Sequence, residues 1–302
     1  MRLNQLRVFL AVVEAGSIRA AARGLNVSPP AVTKSVRQLE EELRVQLLDR
    51  TQHGVVATPA GRAFVARARV VRSELRKAEE DLARFSGEDA GSVAMGVGPT
   101  EMAWIVPDAI VEFRRQFPRA RVRVIEGRRP RLTQLVQDET VDFSMGIRPD
   151  GKLDSWLAFR PLFRSRFVVA ARKGHPLRNA RSLAGLTDAV WMTLAPRTGS
   201  GGVLDQAFAA AGLPAPSTPM VECEIFSGIV AVLAKTDMLA LLTDTLLTMP
   251  VARDLIQEIP VSERLPTPTH GICTRADAPP TRLAAAMIKI VSTMARGIAR
   301  RR

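Results

Sequence analysis

The stretch from Ser17 to Leu47 constrains the fold most, because its pattern predicts two helices joined by a tight turn. Ser17 is a suitable N-cap, and small apolar residues follow it at helical spacing. After turn residues at 24–27, Ser28 supplies a second capping hydroxyl, and the two prolines behind it occupy positions that need no amide donor. The second helix is then expected to bury one apolar face, made of Val32, Val36, Leu39, Leu43 and Leu47.

The opposite face of the second helix carries polar and cationic side chains: Ser28, Thr33, Lys34, Arg37 and Gln38. Side chains of this kind suit the base edges and phosphates of a DNA major groove, provided that the helix packs by its other side. The sequence therefore predicts a helix-turn-helix. An ordinary helical hairpin with a solvated charged face is the alternative that this pattern leaves open.

Two short β-prone pieces between Leu48 and Thr58 flank a Gln-His-Gly turn, which predicts a small hairpin, or wing. Arg50, Gln52 and His53 are then expected near the backbone or the minor groove of a duplex that the second helix holds. A histidine at a loop tip is also commonly just solvated, so a specific contact by His53 is one of two interpretations.

A long helix is expected to begin after Thr58 and Pro59. Its apolar positions follow one another in steps of four and three residues, which is the seam of a coiled coil. The favoured partner is the same helix of a second copy, because paired helix-turn-helix units reach successive major grooves roughly 34 Å apart. The alternative is that the seam packs on its own domain. The predicted seam is Phe64, Ala68, Val71, Leu75, Ala78, Leu82 and Phe85.

A polar segment at 86–91 precedes a change of pattern, and strand-like and helix-like pieces alternate beyond it. The alternation favours a parallel sheet covered by helices, beginning with a strand at 92–98 and a single helix at 100–116. A second set of such pieces favours a second lobe, and two α/β lobes joined by crossover strands form a natural cleft for a small ligand. The predicted domains are 1–58, 59–86 and 91–302, the last split into lobe I (about 91–161 and 267–302) and lobe II (about 162–266).

The charge of the chain agrees with a polyanionic partner but does not locate it. The 302 residues carry a formal net charge of +13, yet residues 1–90 hold 15 Lys and Arg against 11 Asp and Glu, so most of the excess lies beyond them. No run approaches the ~20 apolar residues that cross a bilayer. Polar residues interrupt the N-terminal apolar run at helical spacing, which predicts an amphipathic first helix rather than a signal peptide, and hence a cytoplasmic protein.

Catalytic and metal-binding patterns are not evident in the sequence. His53, His175 and His270 are far apart, and none is spaced with cysteines or carboxylates as metal ligands are. Cys223 and Cys273 lie in apolar runs and are expected to be buried thiols. We therefore predict neither an enzyme nor a cofactor.

Three runs of residues match a known pattern in order and spacing: LNQLRVFLAVVEAGSIRAAARGLNVSPPAVTKSVRQLEEEL, LLDRT and GVVATPAGRAF. The chain thereby resembles the LysR-type transcriptional regulators over essentially its whole length. The resemblance implies an α/β multidomain protein with a winged helix-turn-helix, a linker helix and a two-lobed effector domain similar to periplasmic binding proteins. Such regulators usually act as tetramers (dimers of dimers) on promoter DNA, where a small molecule in the cleft changes the DNA bend or the contacts to RNA polymerase.

Three departures from the family pattern bear on recognition. Pro29 stands where the family commonly has Gln, Arg44 where it has Gly, and Leu48 where it has Phe. The first removes an amide that reads bases, so specificity is expected to depend more on Thr33, Lys34 and Arg37. Leu48 and the run ECEIFSGIVAVLAKTDMLALLT resemble the branch that contains the galactose-binding-protein and toluenesulfonate regulators. The predicted DNA contacts are Ser28, Pro30, Thr33, Lys34, Arg37, Arg50, Gln52 and His53.

The effector is predicted to bind where strands give way to helices around the cleft. Thr100 offers a hydroxyl beside free backbone amides, the glycine-rich loop at 196–202 offers amides and a cation, and Phe226 opens a third helix. These features favour an organic anion, although glycines and caps at such turns are also routine in structure alone. A solute-binding protein without a regulatory role, or a regulator without an effector, are the alternatives. With the positions that the resemblance adds, the predicted set is Thr100, Glu101, Arg128, Pro130, Arg148, Arg197, Thr198 and Phe226.

Overall fold

The computed structural model describes residues 1–51, 54–83, 91–149, 151–194, 202–216 and 221–299, which form two compact units. The first unit holds the described residues up to 83 together with 137–141, and the second unit holds the remainder. Within these described residues, no helix is both long and apolar enough to cross a membrane.

Three helices, a two-stranded hairpin and one long helix make up the first unit. Ser17 begins the second helix by accepting the Ala20 amide at 3.5 Å, and Asn26 ends it in the left-handed conformation. Phe9, Val32 and Leu39 are completely buried where the first three helices meet. The predicted helix pair is therefore confirmed. The elements are α1 (Leu3–Ala15), α2 (Ile18–Leu25), α3 (Pro29–Leu43), β1 (Leu48–Thr51), β2 (Gly54–Ala57) and α4 (Pro59–Ala83).

The end of α3 differs from the prediction. Arg44 adopts a left-handed conformation (φ 56°), and its amide bonds to the carbonyls of Glu40 and Glu41, which stops the helix at Leu43. Leu43 is 37% exposed, so its predicted burial is wrong. Leu47 is buried as predicted but lies beyond the helix, because the Glu40 carboxylate accepts its amide at 2.8 Å and turns the chain back.

The first sheet of the second unit defines lobe I and has the strand order β4-β3-β5-β12-β6. β3 pairs in parallel with β4 and β5, as the strand–helix alternation predicted. β12 pairs antiparallel with β5 and β6, so the sheet is mixed rather than wholly parallel. Its strands are β3 (Ser92–Val97), β4 (Arg121–Glu126), β5 (Phe143–Ile147), β6 (Leu157–Arg164) and β12 (Thr269–Arg275), with helices α5 (Pro99–Trp104), α6 (Val106–Gln116), α7 (Arg131–Gln137) and α12 (Arg282–Ala299).

The second sheet defines lobe II and has the strand order β11-β7-β10-β8-β9. β7 pairs antiparallel with β10 and β11, whereas β8 runs parallel to β10 and β9. The strands are β7 (Phe167–Arg172), β8 (Trp191–Thr193), β9 (Val221–Glu222), β10 (Leu239–Thr243) and β11 (Ile256–Ile259). The helices are α8 (Val203–Ala210), α9 (Phe226–Leu233), α10 (Asp244–Leu247) and α11 (Pro250–Arg253), with a 3₁₀ turn at Leu183–Leu186.

The predicted helix at 100–116 is two helices, α5 and α6. Pro107 lacks the amide hydrogen that a continuous helix would bond to the carbonyl four residues earlier, so the helix breaks at Ile105. The break leaves α5 as a helix of six residues at the end of β3.

Two crossover segments, residues 165–166 and 260–268, connect the lobes. The first leads from β6 to β7 and the second from β11 to β12. They run side by side, because the Ser165 amide donates to the Pro268 carbonyl at 3.2 Å and the Phe167 amide donates to the Pro266 carbonyl at 2.9 Å.

Candidate DNA interface and effector cleft

The outer face of α3 is polar and exposed. The Ser28 hydroxyl accepts the Ala31 amide at 3.4 Å and starts the helix as predicted. Pro30, Lys34 and Arg37 are exposed, and Thr33 is half-buried between them. The inner face is buried in the core of the first unit, so α3 can enter a major groove without exposing its apolar side.

Arg37 is engaged with a carboxylate on the same face. Its Nε donates to Glu41 Oε1 at 2.8 Å, and the two side chains are 80% and 61% exposed. A pair this exposed contributes a few tenths of a kcal/mol at most, so Arg37 can exchange Glu41 for a phosphate or a base edge at little cost.

The wing exists, but its tip lies outside the described residues. β1 and β2 pair antiparallel, with Arg50 opposite Val55 in the ladder. The structure describes the backbone of Arg50 and not its side chain, and Gln52 and His53 are not described. Gly54 packs closely against the end of α1. A Cβ at this position would lie 2.4 Å from the Gly16 carbonyl oxygen, so the contact requires glycine.

The seam of α4 divides into two parts. Phe64 packs edge-on against Phe9 at 5.3 Å, and Ala68 is 1% exposed in the same core. Both contacts belong to the core of their own unit, which is the alternative to pairing with a second copy at these two positions. The remaining described seam residues, Val71, Leu75, Ala78 and Leu82, are exposed, and Phe85 lies outside the described residues.

The first turn of α5 lies between the two lobes. The Thr100 hydroxyl is 2.9 Å from the Thr243 hydroxyl at the end of β10, and both residues are buried. Because a hydroxyl can donate one hydrogen bond and accept others, Thr100 can bond a ligand beside Thr243 or in its place.

Glu101 is also buried, beneath Thr100 in the same turn. Its Oε1 accepts from Nδ1 of His270 on β12, and the other imidazole nitrogen, Nε2, is 2.7 Å from the Ser165 hydroxyl. The Glu101 and His270 side chains are 2% and 1% exposed, so this carboxylate is occupied by the imidazole and not open to a ligand.

Arg128 follows β4 and is largely withdrawn from water. Burial lowers its pKa to about 10, while Glu224 of lobe II acts to raise it and Arg129 to lower it. Its Nη1 is buried and has no hydrogen-bond partner within the part of the chain that the structure describes. A desolvated cation with a donor to spare suits a carboxylate, sulfonate or phosphate.

Two family models match this chain and together span nearly all of it. The model for bacterial regulatory helix-turn-helix proteins of the lysR family matches residues 3–62, and the model for the LysR substrate binding domain matches residues 86–296. This chain belongs to the LysR family. The family consists of transcription regulators, which are not enzymes.

Curated relatives of this LysR-family chain are also regulators. The HTH-type transcriptional regulator GalR of Pseudomonas putida is 34% identical over 262 residues, which cover 86% of this chain and 65% of GalR. The HTH-type transcriptional regulator TdcA of Escherichia coli is 29% identical over 201 residues, which cover 66% of this chain and 64% of TdcA. The match thus spans less than two thirds of the length of either relative.

Solved structures share the fold over almost their full length. CbnR, a LysR family transcriptional regulator, gives a TM-score of 0.70 at 22% identity and covers 98% of this chain and 99% of its own. CbnR in complex with its target DNA gives 0.67 at 20% identity, with 97% and 99% covered. A full-length OxyR variant from Pseudomonas aeruginosa gives 0.68 at 22% identity, with 98% and 95% covered.

The other predicted effector residues of this LysR-family chain differ in their exposure to solvent. Pro130 is exposed beside Arg128, and Arg148 is exposed at the end of β5, where its amide donates to the Thr269 carbonyl at 2.8 Å. Phe226 begins α9 and is 7% exposed against the lobe II core. Arg197 and Thr198 lie outside the described residues.

Sequence reasoning missed the partners that the fold supplies to the predicted residues. No sequence pattern distinguishes Thr243 or Ser165, and the sequence identifies His270 only as one of three widely separated histidines. Thr243 is 143 residues from Thr100, and His270 is 169 residues from Glu101, so no local pattern links them. Hydroxyl and imidazole groups near predicted crossovers would have been the best available indication.

The two cysteines of this LysR-family chain are free thiols, of which Cys273 is buried and Cys223 is half-buried. Burial raises the pKa of Cys273 to about 11, against the opposing effects of Arg129 and a hydrogen bond with Ser144. The half-buried Cys223 donates to the Ile225 carbonyl at 3.4 Å. No cluster of three metal-ligating side chains occurs within the described ranges.

Proposed function

We propose that this LysR-family chain regulates transcription by binding promoter DNA through α3 and the β1–β2 wing. The observation that carries this proposal is the exposed face of α3, on a helix whose other face is core. Lys34 and Arg37 supply cations, and Thr33 and the Ser28 end of the helix supply short polar groups for base edges and phosphates. Arg50, Gln52 and His53 of the wing would add contacts to the backbone or minor groove.

We infer that the controlling effector is a small organic anion bound between the lobes. Arg128 supports this, because its buried Nη1 has no partner among the described residues and its charge lies close enough to interact with Glu224 of the other lobe. Thr100, Phe226 and the loop with Arg197 and Thr198 would complete the site, with Pro130 and Arg148 at its rim. Because Glu101 is occupied by His270, its proposed role is to hold Thr100 in place rather than to touch the effector.

The exposed half of the α4 seam supports self-association. Val71, Leu75 and Leu82 are large apolar side chains on a helix face that no described residue covers well, being 38%, 39% and 68% exposed. We propose that they pair with a second copy, that dimers associate further into tetramers, and that the assembly contacts RNA polymerase from promoter DNA in the cytoplasm. The proposed division of the chain remains 1–58, 59–86 and 91–302.

Footprinting of the DNA around its own gene tests the DNA-binding proposal. We expect protection of an inverted repeat, with a steep loss of affinity as salt rises. A chain that protects no DNA at low salt would contradict the proposal.

Thermal-shift measurements test the effector proposal. The probes are benzoate and p-toluenesulfonate as anions and glucose as an uncharged control. A ligand at 100 times its Kd adds about 2.7 kcal/mol to the free energy of unfolding. We expect stabilisation by an anion and not by glucose; stabilisation by glucose alone would contradict an anionic effector.

A further inference from the structure

The buried hydrogen-bonded chain of Glu101, His270 and Ser165, here called the hinge triad, joins three separate parts of the substrate-binding domain. Glu101 lies in the first turn of α5, His270 on β12, and Ser165 in the crossover segment between β6 and β7. None of the three residues is more than 4% exposed. The triad therefore connects the proposed effector cleft with the segments that link the lobes.

An irregularity in the sheet directs His270 into the triad. The pairing of β12 with β6 changes register between His270, which lies opposite Phe163, and Gly271, which lies opposite Pro161. A Cβ on Gly271 would lie 2.3 Å from the Arg160 carbonyl oxygen, so the bulge requires glycine there. Bulges of this kind re-aim side chains.

Aromatic contacts hold the other end of α5 to the same strands. The Phe163 ring stacks on the His270 imidazole at 4.6 Å, with an interplanar angle of 3°. Trp104, the last residue of α5, packs edge-on against Phe163 at 4.9 Å. A helix of six residues is not stable in isolation, so these contacts at its two ends decide where α5 sits.

The triad has complementary hydrogen bonds in either charge state of the imidazole. A neutral imidazole donates to Glu101 from Nδ1 and accepts the Ser165 hydroxyl at Nε2, and an imidazolium donates from both nitrogens. A buried carboxylate without such a partner is costly, and members of a buried network depend on one another. We therefore expect a displacement of Glu101 to displace His270 and, through it, Ser165.

We propose that the hinge triad couples Thr100 to the crossover segments, with His270 as the positioning residue. The proposal rests on the effector role proposed for the cleft. A ligand that bonds to Thr100 shifts the first turn of α5, and Glu101 passes this shift through His270 to Ser165. The Ser165 amide bonds the second crossover segment at Pro268, so the shift reaches both connections between the lobes.

Amide hydrogen exchange on the full-length, ligand-free protein tests the coupling. Replacing Glu101 would remove the carboxylate of the network, and replacing His270 would leave both of its buried partners unsatisfied, so the variant of choice is Ser165→Ala, which leaves only Nε2 of His270 without its partner. We expect the Met102 amide, which donates to the Gly98 carbonyl within α5, to exchange about five-fold faster, as loss of about 1 kcal/mol implies.

The matched control is Ser144→Ala, which removes an equally buried hydroxyl from the neighbouring strand β5. It should leave the exchange of the Met102 amide unchanged. Unaltered exchange at Met102 in Ser165→Ala, or the same acceleration in both variants, would overturn the coupling.

Imidazole ¹⁵N spectra give a second, independent test in the opposite direction. Thr243→Val removes the partner of Thr100, and we expect the Nε2 resonance of His270 to move. His175, whose ring is bonded to the Leu177 amide and the Asp237 carbonyl, should stay fixed. Because the chain has three histidines, His270→Gln assigns the resonance.

A stationary His270 resonance in Thr243→Val would overturn the proposal. Neither test contains an effector. An effector of another chemical class would therefore contradict the proposed function while leaving both results intact.

Discussion

The hydroxyl groups of Thr100 and Thr243 lie 2.9 Å apart and connect the two lobes of the substrate-binding domain. Each is buried, so neither has water as a ready alternative partner. The contact therefore joins the first turn of α5 in lobe I to the end of β10 in lobe II, and an effector that bonds to Thr100 acts at this junction.

Replacing Thr100 by Val should weaken the effector response. Loss of one hydrogen bond of about 1 kcal/mol corresponds to a roughly five-fold higher effector Kd, while operator affinity without effector stays unchanged. The measurement is effector titration by thermal shift together with operator binding. Thr187→Val, which removes a hydroxyl bonded to the Ala184 carbonyl, is the control. An unchanged effector Kd in Thr100→Val would remove Thr100 from the site.

Replacing Arg37 by Ala should weaken operator binding by about 1–3 kcal/mol, because α3 loses a cation at its exposed face. Glu41→Gln should strengthen binding by up to about 0.5 kcal/mol, because Arg37 is released from its ion pair. Titration of operator and random DNA at fixed salt measures both. Arg253→Ala in the substrate-binding domain should have no effect. Equal loss on random and operator DNA would reassign Arg37 to a phosphate contact.

Replacing Arg128 by Met should abolish anion binding and leave the ligand-free chain at least as stable. Because burial lowers the pKa of Arg128 to about 10, its charge destabilises the folded state at neutral pH, and this cost is relieved only as pH rises above that value. Urea unfolding with and without the stabilising anion measures both effects. Arg131→Met, at an exposed site nearby, is the control. Destabilisation of Arg128→Met without ligand would contradict this account.

Replacing Arg44 by Gly should raise stability by about 0.5–1 kcal/mol. The left-handed conformation at the end of α3 costs an L-residue about 1–2 kcal/mol. Glycine avoids this cost, but part of the gain is offset because glycine loses more backbone entropy on folding. Gly16→Ala should have the opposite effect, since Gly16 has φ 61° and no steric obstacle to a Cβ. Urea unfolding midpoints followed by helical ellipticity test the pair, and a loss of stability in Arg44→Gly would refute the argument.

Replacing Leu75 and Leu82 by Glu should dissociate the proposed dimer. Both side chains are exposed on the seam, and carboxylates there would repel their counterparts in a second copy. Sedimentation velocity over a range of concentrations measures the change. Val251→Glu, at an exposed apolar site of α11, should leave association unaltered. A double variant that still associates would exclude this half of α4 from the interface.

The α4 seam shows that the spacing of apolar residues does not predict which partner they pack against. Phe64 and Ala68 obey the same spacing as Leu75 and Leu82, yet the first pair is in the core of its own unit and the second is exposed. Spacing identifies the face of a helix that leaves water and says nothing of what covers it. The predicted burial of Leu43 is wrong for a related reason, because the left-handed conformation of Arg44 ends the helix before the periodic pattern ends.

The sequence by itself determined the features that depend on neighbours along the chain. The capping hydroxyls of Ser17 and Ser28, the polar face of α3 and the parallel β3-β4-β5 start follow from short-range sterics, hydrogen bonding and burial. The tertiary structure alone decided that Thr100 meets Thr243, that Glu101 and Ser165 meet through His270, and that Arg128 is desolvated. These contacts join residues far apart in the chain, and burial strengthens them by excluding water, which no local pattern encodes.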